Sequence, residues 1–92
     1  MLKVKQGDVT FKVKWHYGTE SISDTNCVIY IFDEKTGKEE EKSTGIAFCA
    51  WNDQFEKNIG RKISLQRALQ AFDRPDRQPF WDAYYKMHGN RW

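Results

Sequence analysis

Residues 60–72, GRKISLQRALQAF, decide how this chain packs. Their apolar side chains recur at the i, i+3, i+4 and i+7 spacing of one helix face: Leu65, Ala68, Leu69 and Phe72. Ser64 stands where a helix N-cap belongs, and Arg61 and Lys62 come just before it. The stretch therefore predicts an amphipathic helix with a basic start, whose apolar stripe must pack on another element.

The element that receives this helix is predicted to be a sheet. Residues 9–17, VTFKVKWHY, alternate apolar with polar side chains at the period of a strand with one wet face. Residues 27–32, CVIYIF, and 45–51, GIAFCAW, do not alternate, which is typical of strands buried on both faces. Gly37 and the dense charge around it indicate a hairpin loop between them. These segments predict a three-stranded antiparallel meander.

Charge sets the expected register of the hairpin. A two-residue turn at Thr36 and Gly37 would place three like-charged pairs across the ladder, which is unfavourable. A loop centred on Lys38 instead faces acids with lysines, so we expect that register, with Cys27 across from Cys49. One face then carries Val28, Tyr30, Phe32, Ile46 and Phe48, and the other carries Cys27, Ile29, Ile31, Gly45, Ala47 and Cys49.

The two faces are expected to differ in what covers them. Small side chains let another element approach closely, so we expect the helices on the face with Gly45 and Ala47. The aromatic face, with Tyr30, Phe32 and Phe48, then stays partly exposed and marks a contact surface for a foreign protein or for a second copy of the chain as a homodimer. The alternative is that loops and the last helix wrap around to cover it.

Two main helices are predicted after the sheet. A short turn is expected before Gly60, a residue that suits the position after a helix end. The helix capped by Ser64 then runs to Phe72. Residues 73–79, DRPDRQP, interrupt it, and a last helix is expected over about residues 77–87. Its apolar stripe would contain Phe80, Ala83, Tyr84 and Met87, with Trp81 and Tyr85 beside it.

Length and composition predict one globular domain over residues 1–92. The chain is 39% hydrophobic and 15% aromatic, unlike a disordered tail. Its N-terminus lacks the apolar run of a signal peptide, and no stretch approaches membrane-spanning length. We therefore expect a cytoplasmic α+β protein with no membrane partner: a three-stranded antiparallel β-meander followed by two main α-helices.

Residues suited to catalysis or metal binding are few. Cys27 and Cys49 are the only cysteines, and in a cytoplasmic chain we expect two reduced thiols that pack as small hydrophobes. His16 and His88 have no ligand-like spacing to them, so neither a metal nor a cofactor is predicted. Neither histidine has a neighbouring Ser or Asp that would make it a base. No catalytic residue is predicted, and we expect a protein that is not an enzyme.

The basic residues suggest a phosphate site. The net charge is +2, but lysines dominate residues 1–17 and basic residues dominate 61–92. Arg61 and Lys62 would lie beside the free amides of a helix start, with Arg67 extending the site. Lys12 and Lys14 would add phosphate contacts from the wet face of the first strand. Three strands before a basic helix start are similar to the second half of a double-stranded-RNA-binding domain, although the first helix of that family is missing. The alternative is that these side chains are simply solvated.

The acidic residues suggest the opposite partner. Glu39, Glu40 and Glu41 are expected at the tip of the hairpin, where three carboxylates could pair with a basic patch on another protein or occupy a groove built for nucleic acid. The alternative is a solubilising tip that protects the sheet edges.

The C-terminal half resembles a known group of proteins. The run AFCAWNDQFEKNIGRKISLQRAL and the later FWDAYYKM, within residues 47–87, resemble small phage and prophage proteins of undefined function. That group shares a strand ending in Cys, a D-x-F segment and a GRK-I-x-L-x-RAL helix. The resemblance implies a phage accessory protein in the bacterial cytoplasm, a class that includes anti-CRISPR proteins. We therefore expect a binding protein that interferes with a host or defence protein, with nucleic-acid binding as the alternative.

Overall fold

The computed structural model describes residues 2–18, 24–48 and 57–88. Within them, four antiparallel strands form one sheet in chain order, and two helices follow. The strands are β1 Leu2–Gln6, β2 Val9–Tyr17, β3 Asp24–Phe32 and β4 Glu39–Phe48; the helices are α1 Lys57–Ala68 and α2 Arg74–His88, joined by a 3₁₀ turn at Leu69–Ala71. The predicted α+β class is confirmed, and the number of strands is corrected from three to four.

The additional strand is β1. It pairs with β2 from Leu2 opposite Val13 to Gln6 opposite Val9. The two residues between the strands begin with Gly7 at φ 60°, the backbone conformation that the first central position of a type II′ hairpin turn requires. Only two apolar residues, Leu2 and Val4, anchor the strand in the core, so its alternation is too short to be distinctive.

The predicted β3–β4 register is wrong. Cys27 lies opposite Gly45, not opposite Cys49, which lies outside the described residues. Residues 34–37 form a four-residue loop. The residues on either side of it are hydrogen-bonded, since the Asp33 amide donates to the Lys38 carbonyl oxygen at 2.9 Å. Asp33 therefore stands opposite Lys38 where the ladder ends. Gly37 closes the loop at φ 74°.

The predicted division of the sheet into two faces survives the register error. β4 carries one extra residue, Lys42, between the partners of Ile29 and Tyr30. Residues 43–48 therefore keep the predicted side, with Gly45 and Ala47 towards the core. The prediction that the helices cover this small-residue face is confirmed.

Helix α1 packs closely on the sheet because of Gly45. A Cβ atom at this position would overlap the Ser64 carbonyl oxygen and the Ala68 amide nitrogen, both of them helix backbone atoms. The predicted apolar stripe of α1 and the 3₁₀ turn is confirmed, since its members are buried: Leu65, Ala68, Leu69 and Phe72. These side chains join strand residues of the same sheet face in one core.

The predicted start of α1 is wrong. The helix already begins at Lys57 within the described residues, so Ser64 is an interior residue and not the N-cap. Its buried hydroxyl donates to the Arg61 carbonyl oxygen at 3.1 Å. Gly60 does not end a helix but lies inside this one, where a Cβ atom would press on the Thr25 side chain. The short turn predicted before Gly60 was expected from a cap at Asn52 or Asp53 through Phe55 to Asn58. Its part up to residue 56 lies outside the described residues, and Lys57 and Asn58 belong to α1.

Helix α2 begins at Arg74, three residues earlier than expected. Pro75 falls in the first turn, where a missing N–H costs nothing. Pro79 lies one turn further in, and the carbonyl that it leaves without a donor belongs to the exposed Pro75, where water can replace the bond. Phe80 and Tyr84 are buried in the core as predicted, whereas Met87 is 54% exposed. Neither helix of the described chain combines the length and the apolar composition needed to cross a membrane.

Candidate protein-binding face

The sheet has one face that neither described helix covers, and we call it the open face. Its members follow from the strand pairing as the residues that alternate with the core: Lys3, Lys5, Thr10, Lys12, Lys14, His16, Asp24, Asn26, Val28, Tyr30, Phe32, Glu39, Glu41, Thr44, Ile46 and Phe48. Lysines lie on β1 and β2, aromatic rings on β3 and carboxylates at the start of β4. The open face thus changes from basic to aromatic to acidic across the strands.

A compact network of charges and rings fills the end of the open face near the β3–β4 loop. Glu39 bridges two lysines of β2, with its carboxylate oxygens 3.0 Å from the Lys12 Nζ and 2.9 Å from the Lys14 Nζ. The same ammonium groups lie over rings of β3, 3.7 Å from the Phe32 centroid for Lys12 and 5.1 Å from the Tyr30 centroid for Lys14. Cation–π contacts therefore reinforce the ion pairs.

The network shifts the pKa values of Glu39 and Lys14. Hydrogen bonds from Lys14 and Lys12 hold the pKa of the Glu39 carboxyl below its usual value. The hydrogen bond to Glu39 raises the pKa of the Lys14 ammonium. In this arrangement, the ammonium groups of two lysines share one carboxylate.

The other end of the open face combines apolar and polar side chains, and Asp24 lies directly opposite Phe48 in the strand pairing. Phe48, at the end of β4, is 75% exposed, the largest exposure among the large hydrophobic residues described. Ile46 is half-buried, while Val28 beside it is buried. An exposed aromatic side chain beside aliphatic ones is typical of a contact surface. The predicted binding candidates Tyr30, Phe32 and Phe48 therefore lie on one face, together with Lys12, Lys14, Glu39 and Glu41.

The remaining predicted basic residues lie on the other side of the sheet. Arg61 and Lys62 are in the second turn of α1, so the predicted anion site at a helix start is wrong. The Arg61 Nη1 donates to the Tyr17 hydroxyl at 3.1 Å, and the Lys62 Nζ lies 5.7 Å from the Tyr85 ring centroid. Arg67 donates to the Ile46 carbonyl oxygen on β4. These contacts tie α1 to its neighbours.

The prediction that the acidic residues lie at the loop tip is wrong. Glu39, Glu40 and Glu41 are the first residues of β4, and the tip is residues 34–37. Glu40 pairs with Ile31 and so lies on the opposite side of the sheet from Glu39 and Glu41. The three carboxylates therefore do not act as one cluster.

The sequence prediction missed two members of the open face. Lys3 and Lys5 belong to the unpredicted strand β1, and both are exposed. Lys3 pairs with Lys12 across the ladder, and its Nζ lies 5.8 Å from the Phe32 centroid. The signal that could have found them is the alternation LKVK just before the Gly7-Asp8 turn.

The structure also shows a cleft at one edge of the core. It has a volume of about 310 Å³ and is lined by Gln6, Phe11, Lys42, Ala71, Phe72, Asp73 and Asp76. The Gln6 Nε2 donates to the Asp76 carbonyl oxygen at 2.7 Å, and the Asp76 amide donates to the Asp73 carbonyl oxygen, which ties β1 to the start of α2. Across the described part of the chain, no three His, Cys, Asp or Glu side chains group as a metal site needs.

Cys27 is fully buried beneath α1, and its thiol is free. Burial raises the pKa of the Cys27 thiol to about 12. This is the environment of a small apolar side chain and not of a nucleophile.

Comparisons with known proteins give no relatives. No protein-family model, no curated protein and no solved structure matches the chain. The contacts of the open face are therefore the basis for a proposal about function.

Proposed function

We propose that this chain is a non-enzymatic binding protein whose open face docks on a partner protein. The observation that carries the proposal is the composition of that face. It combines exposed Phe48, the half-buried rings of Tyr30 and Phe32, and charges of both signs in one surface that no described helix covers. Protein interfaces combine aromatic anchors with a polar rim in this way.

The distribution of basic residues supports a protein partner over a nucleic acid. The cations predicted to form one phosphate site are divided between two surfaces, because Lys12 and Lys14 lie on the open face while Arg61 and Lys62 lie on α1 across the sheet. On the open face itself, Glu39 already neutralises part of the lysine charge. A phosphate would have to compete with this carboxylate, whereas a protein surface with charges of both signs would not.

The resemblance of residues 47–87 to phage and prophage proteins supplies the biological context of the proposal. In that context, the partner is a host or defence protein in the bacterial cytoplasm, and binding blocks its action, as anti-CRISPR inhibitors do. The motif contributes structural residues, because Leu65, Ala68 and Leu69 are core side chains. The open face would therefore carry the specificity.

Phage plaquing on defended bacteria tests this proposal. Cells that carry a CRISPR-Cas system targeting the phage would express the wild-type chain, Phe48→Ser or Met87→Ser. Both positions expose a large hydrophobic side chain, 75% for Phe48 and 54% for Met87, but only Phe48 is on the open face. We expect the wild type and Met87→Ser to restore plaquing. Phe48→Ser should lose about 10-fold or more of this effect, since truncation of an aromatic hot-spot residue costs about 2 kcal/mol or more of binding free energy.

Two results would contradict the proposal. Plaquing that stays blocked across a panel of defence systems in cells with the wild-type chain would remove the anti-defence function. Equal restoration by Phe48→Ser and Met87→Ser would remove the open face as the binding surface.

The second candidate is a single-stranded nucleic acid on the same face. The observation in its favour is a row of lysines beside aromatic rings, the combination that sequence-tolerant single-strand binders use. Fluorescence anisotropy of labelled single-stranded DNA, duplex DNA and duplex RNA, at low and near-physiological salt, tests it. Binding that weakens steeply with salt and is lost in Lys12→Glu would favour this candidate. Absence of binding even at low salt would exclude it.

A further inference from the structure

Near the β3–β4 loop, charged residues of the open face form two parallel rows across the strands. One row runs from Lys5 on β1 through Thr10 and Phe32 to Glu39 on β4. The next row runs from Lys3 through Lys12 and Tyr30 to Glu41. Each row is basic at the β1 edge, aromatic in the third strand and acidic at the β4 edge. Among the described residues, Lys3, Lys5 and Glu41 form no ion pair.

Such rows are self-complementary under one particular two-fold rotation. An axis that lies in the interface, parallel to the strands and between β2 and β3, places β1 of one copy over β4 of the other. Lys3 then faces Glu41 of the second copy, and Lys5 faces Glu39, each pair occurring twice by symmetry. A two-fold axis across the strands would instead place lysines over lysines and is disfavoured.

We infer that a second copy of this chain occupies the open face in the isolated protein, through a face-to-face dimer about the axis parallel to the strands. The inference rests on the proposed function, because it takes the open face to be a protein-docking surface. The second copy and the foreign partner are alternative occupants of that surface. Charge complementarity between the β1 and β4 edges sets the orientation of the dimer.

The size of the face indicates a weak dimer. Four strands about 4.8 Å apart and about eight residues long at about 3.3 Å per residue give a flat footprint of about 500 Å² per copy. Stable interfaces bury about 800 Å² per partner. We therefore expect a dimer that forms in the micromolar range and exchanges readily, so that a tighter foreign partner would displace the second copy.

Sedimentation velocity over protein concentrations from about 1 μM to 1 mM tests the inference. Lys3→Glu and Glu41→Lys each turn two attractive contacts into repulsive ones, so we expect each variant to dimerise at least about 10-fold more weakly than the wild type. The matched control is Lys86→Glu, which reverses an exposed charge on α2. It should dimerise like the wild type, and circular dichroism would verify that every variant is folded.

Mixing the two reversed variants provides the decisive step. In a one-to-one mixture, the new carboxylate at position 3 of one chain faces the new ammonium group at position 41 of the other. A heterodimer should therefore form with about wild-type affinity, even though each variant alone dimerises at least about 10-fold more weakly. Wild-type protein that stays monomeric at about 1 mM, dimers that neither reversal weakens, or a mixture that stays monomeric would each overturn the inference. None of these results removes the proposed function, which the plaquing comparison tests separately.

Discussion

At the scale of single residues, Gly45 determines how closely α1 approaches the sheet. Its missing side chain leaves room for backbone atoms of Ser64 and Ala68, which cannot move aside as a side chain can. The sequence prediction that a small-residue face would receive the helices depended on this position. The preference for a small residue at position 45 therefore has a specific steric cause, because any side chain there would overlap the backbone of α1.

Gly45→Ala should destabilise the protein by about 3 kcal/mol, because the added methyl group overpacks a helix backbone. Urea unfolding measures this loss of free energy. The matched control is Gly37→Ala, a position with open space around it but a φ of 74°, where we expect a loss of about 1 kcal/mol from backbone strain alone. Equal losses at the two positions would contradict the close approach of α1.

Cys27 should make stability depend on pH at the alkaline end. Its pKa rises from 9.0 to about 12 on folding, so the unfolded chain loses this proton first. The stability due to the protonated thiol is fully present below pH 9 and is lost as the pH rises towards about 12. The free-energy difference between wild type and Cys27→Ala should therefore shrink from about pH 8 to about pH 10.5 in urea titrations. A difference that stays constant would show that the thiol is accessible to water.

At the scale of elements, the helix pattern could be predicted from the sequence but the helix ends could not. The stripe from Leu65 to Phe72 needed only the 3.6-residue period. Gly60 and Ser64 were interpreted by their local preferences as a stop and a cap, yet both lie inside α1. Gly60 is there because it packs against Thr25, a contact between distant parts of the chain that no local pattern contains.

The β3–β4 register failed for a related reason. Charge pairing alone is compatible with several loops. The observed loop also has Gly37 at a positive φ, and its strand has a bulge at Lys42, neither of which follows from charge pairing. This register brings Glu39 across to Lys12 and Lys14, so the charge network at the loop end of the open face could not be deduced from the sequence. The face memberships of Tyr30, Phe32 and Phe48 could be deduced, because they depend only on alternation.

Replacing the two lysines should raise the pKa of Glu39 towards its usual value of 4.5, because both lysines stabilise the carboxylate. Carboxyl NMR titration of Lys12→Met/Lys14→Met against wild type measures this change, and Lys35→Met in the loop serves as the control. In the wild type, the stabilisation is present above the unfolded pKa and is lost as the pH falls through the lowered value. An unchanged pKa in the double variant would contradict the bridged geometry.

At the scale of the whole molecule, the sheet separates two sets of basic residues. The set on α1 makes contacts that hold the helix to Tyr17, Tyr85 and the β4 edge. The set on β1 and β2 lies on the open face with aromatic and acidic neighbours. Among the described residues, the core lies on one side of the sheet, and neither helix covers the other side.

Truncation on the open face should leave the fold intact. Phe48→Ser and Met87→Ser each remove an exposed side chain, so we expect both to change the free energy of unfolding by less than about 0.5 kcal/mol. Thermal unfolding followed by circular dichroism measures this. A large loss of unfolding free energy for Phe48→Ser alone would show that the ring supports the fold and is not a free contact residue.

The most direct test of the open face as a docking surface is quantitative capture from bacterial lysate. Immobilised wild type, Phe48→Ser and Met87→Ser would be compared by mass spectrometry of the retained proteins. We expect at least one bacterial protein to be retained about 10-fold more by the wild type and by Met87→Ser than by Phe48→Ser. Identical sets of retained proteins for all three chains would contradict the assignment of function to the open face.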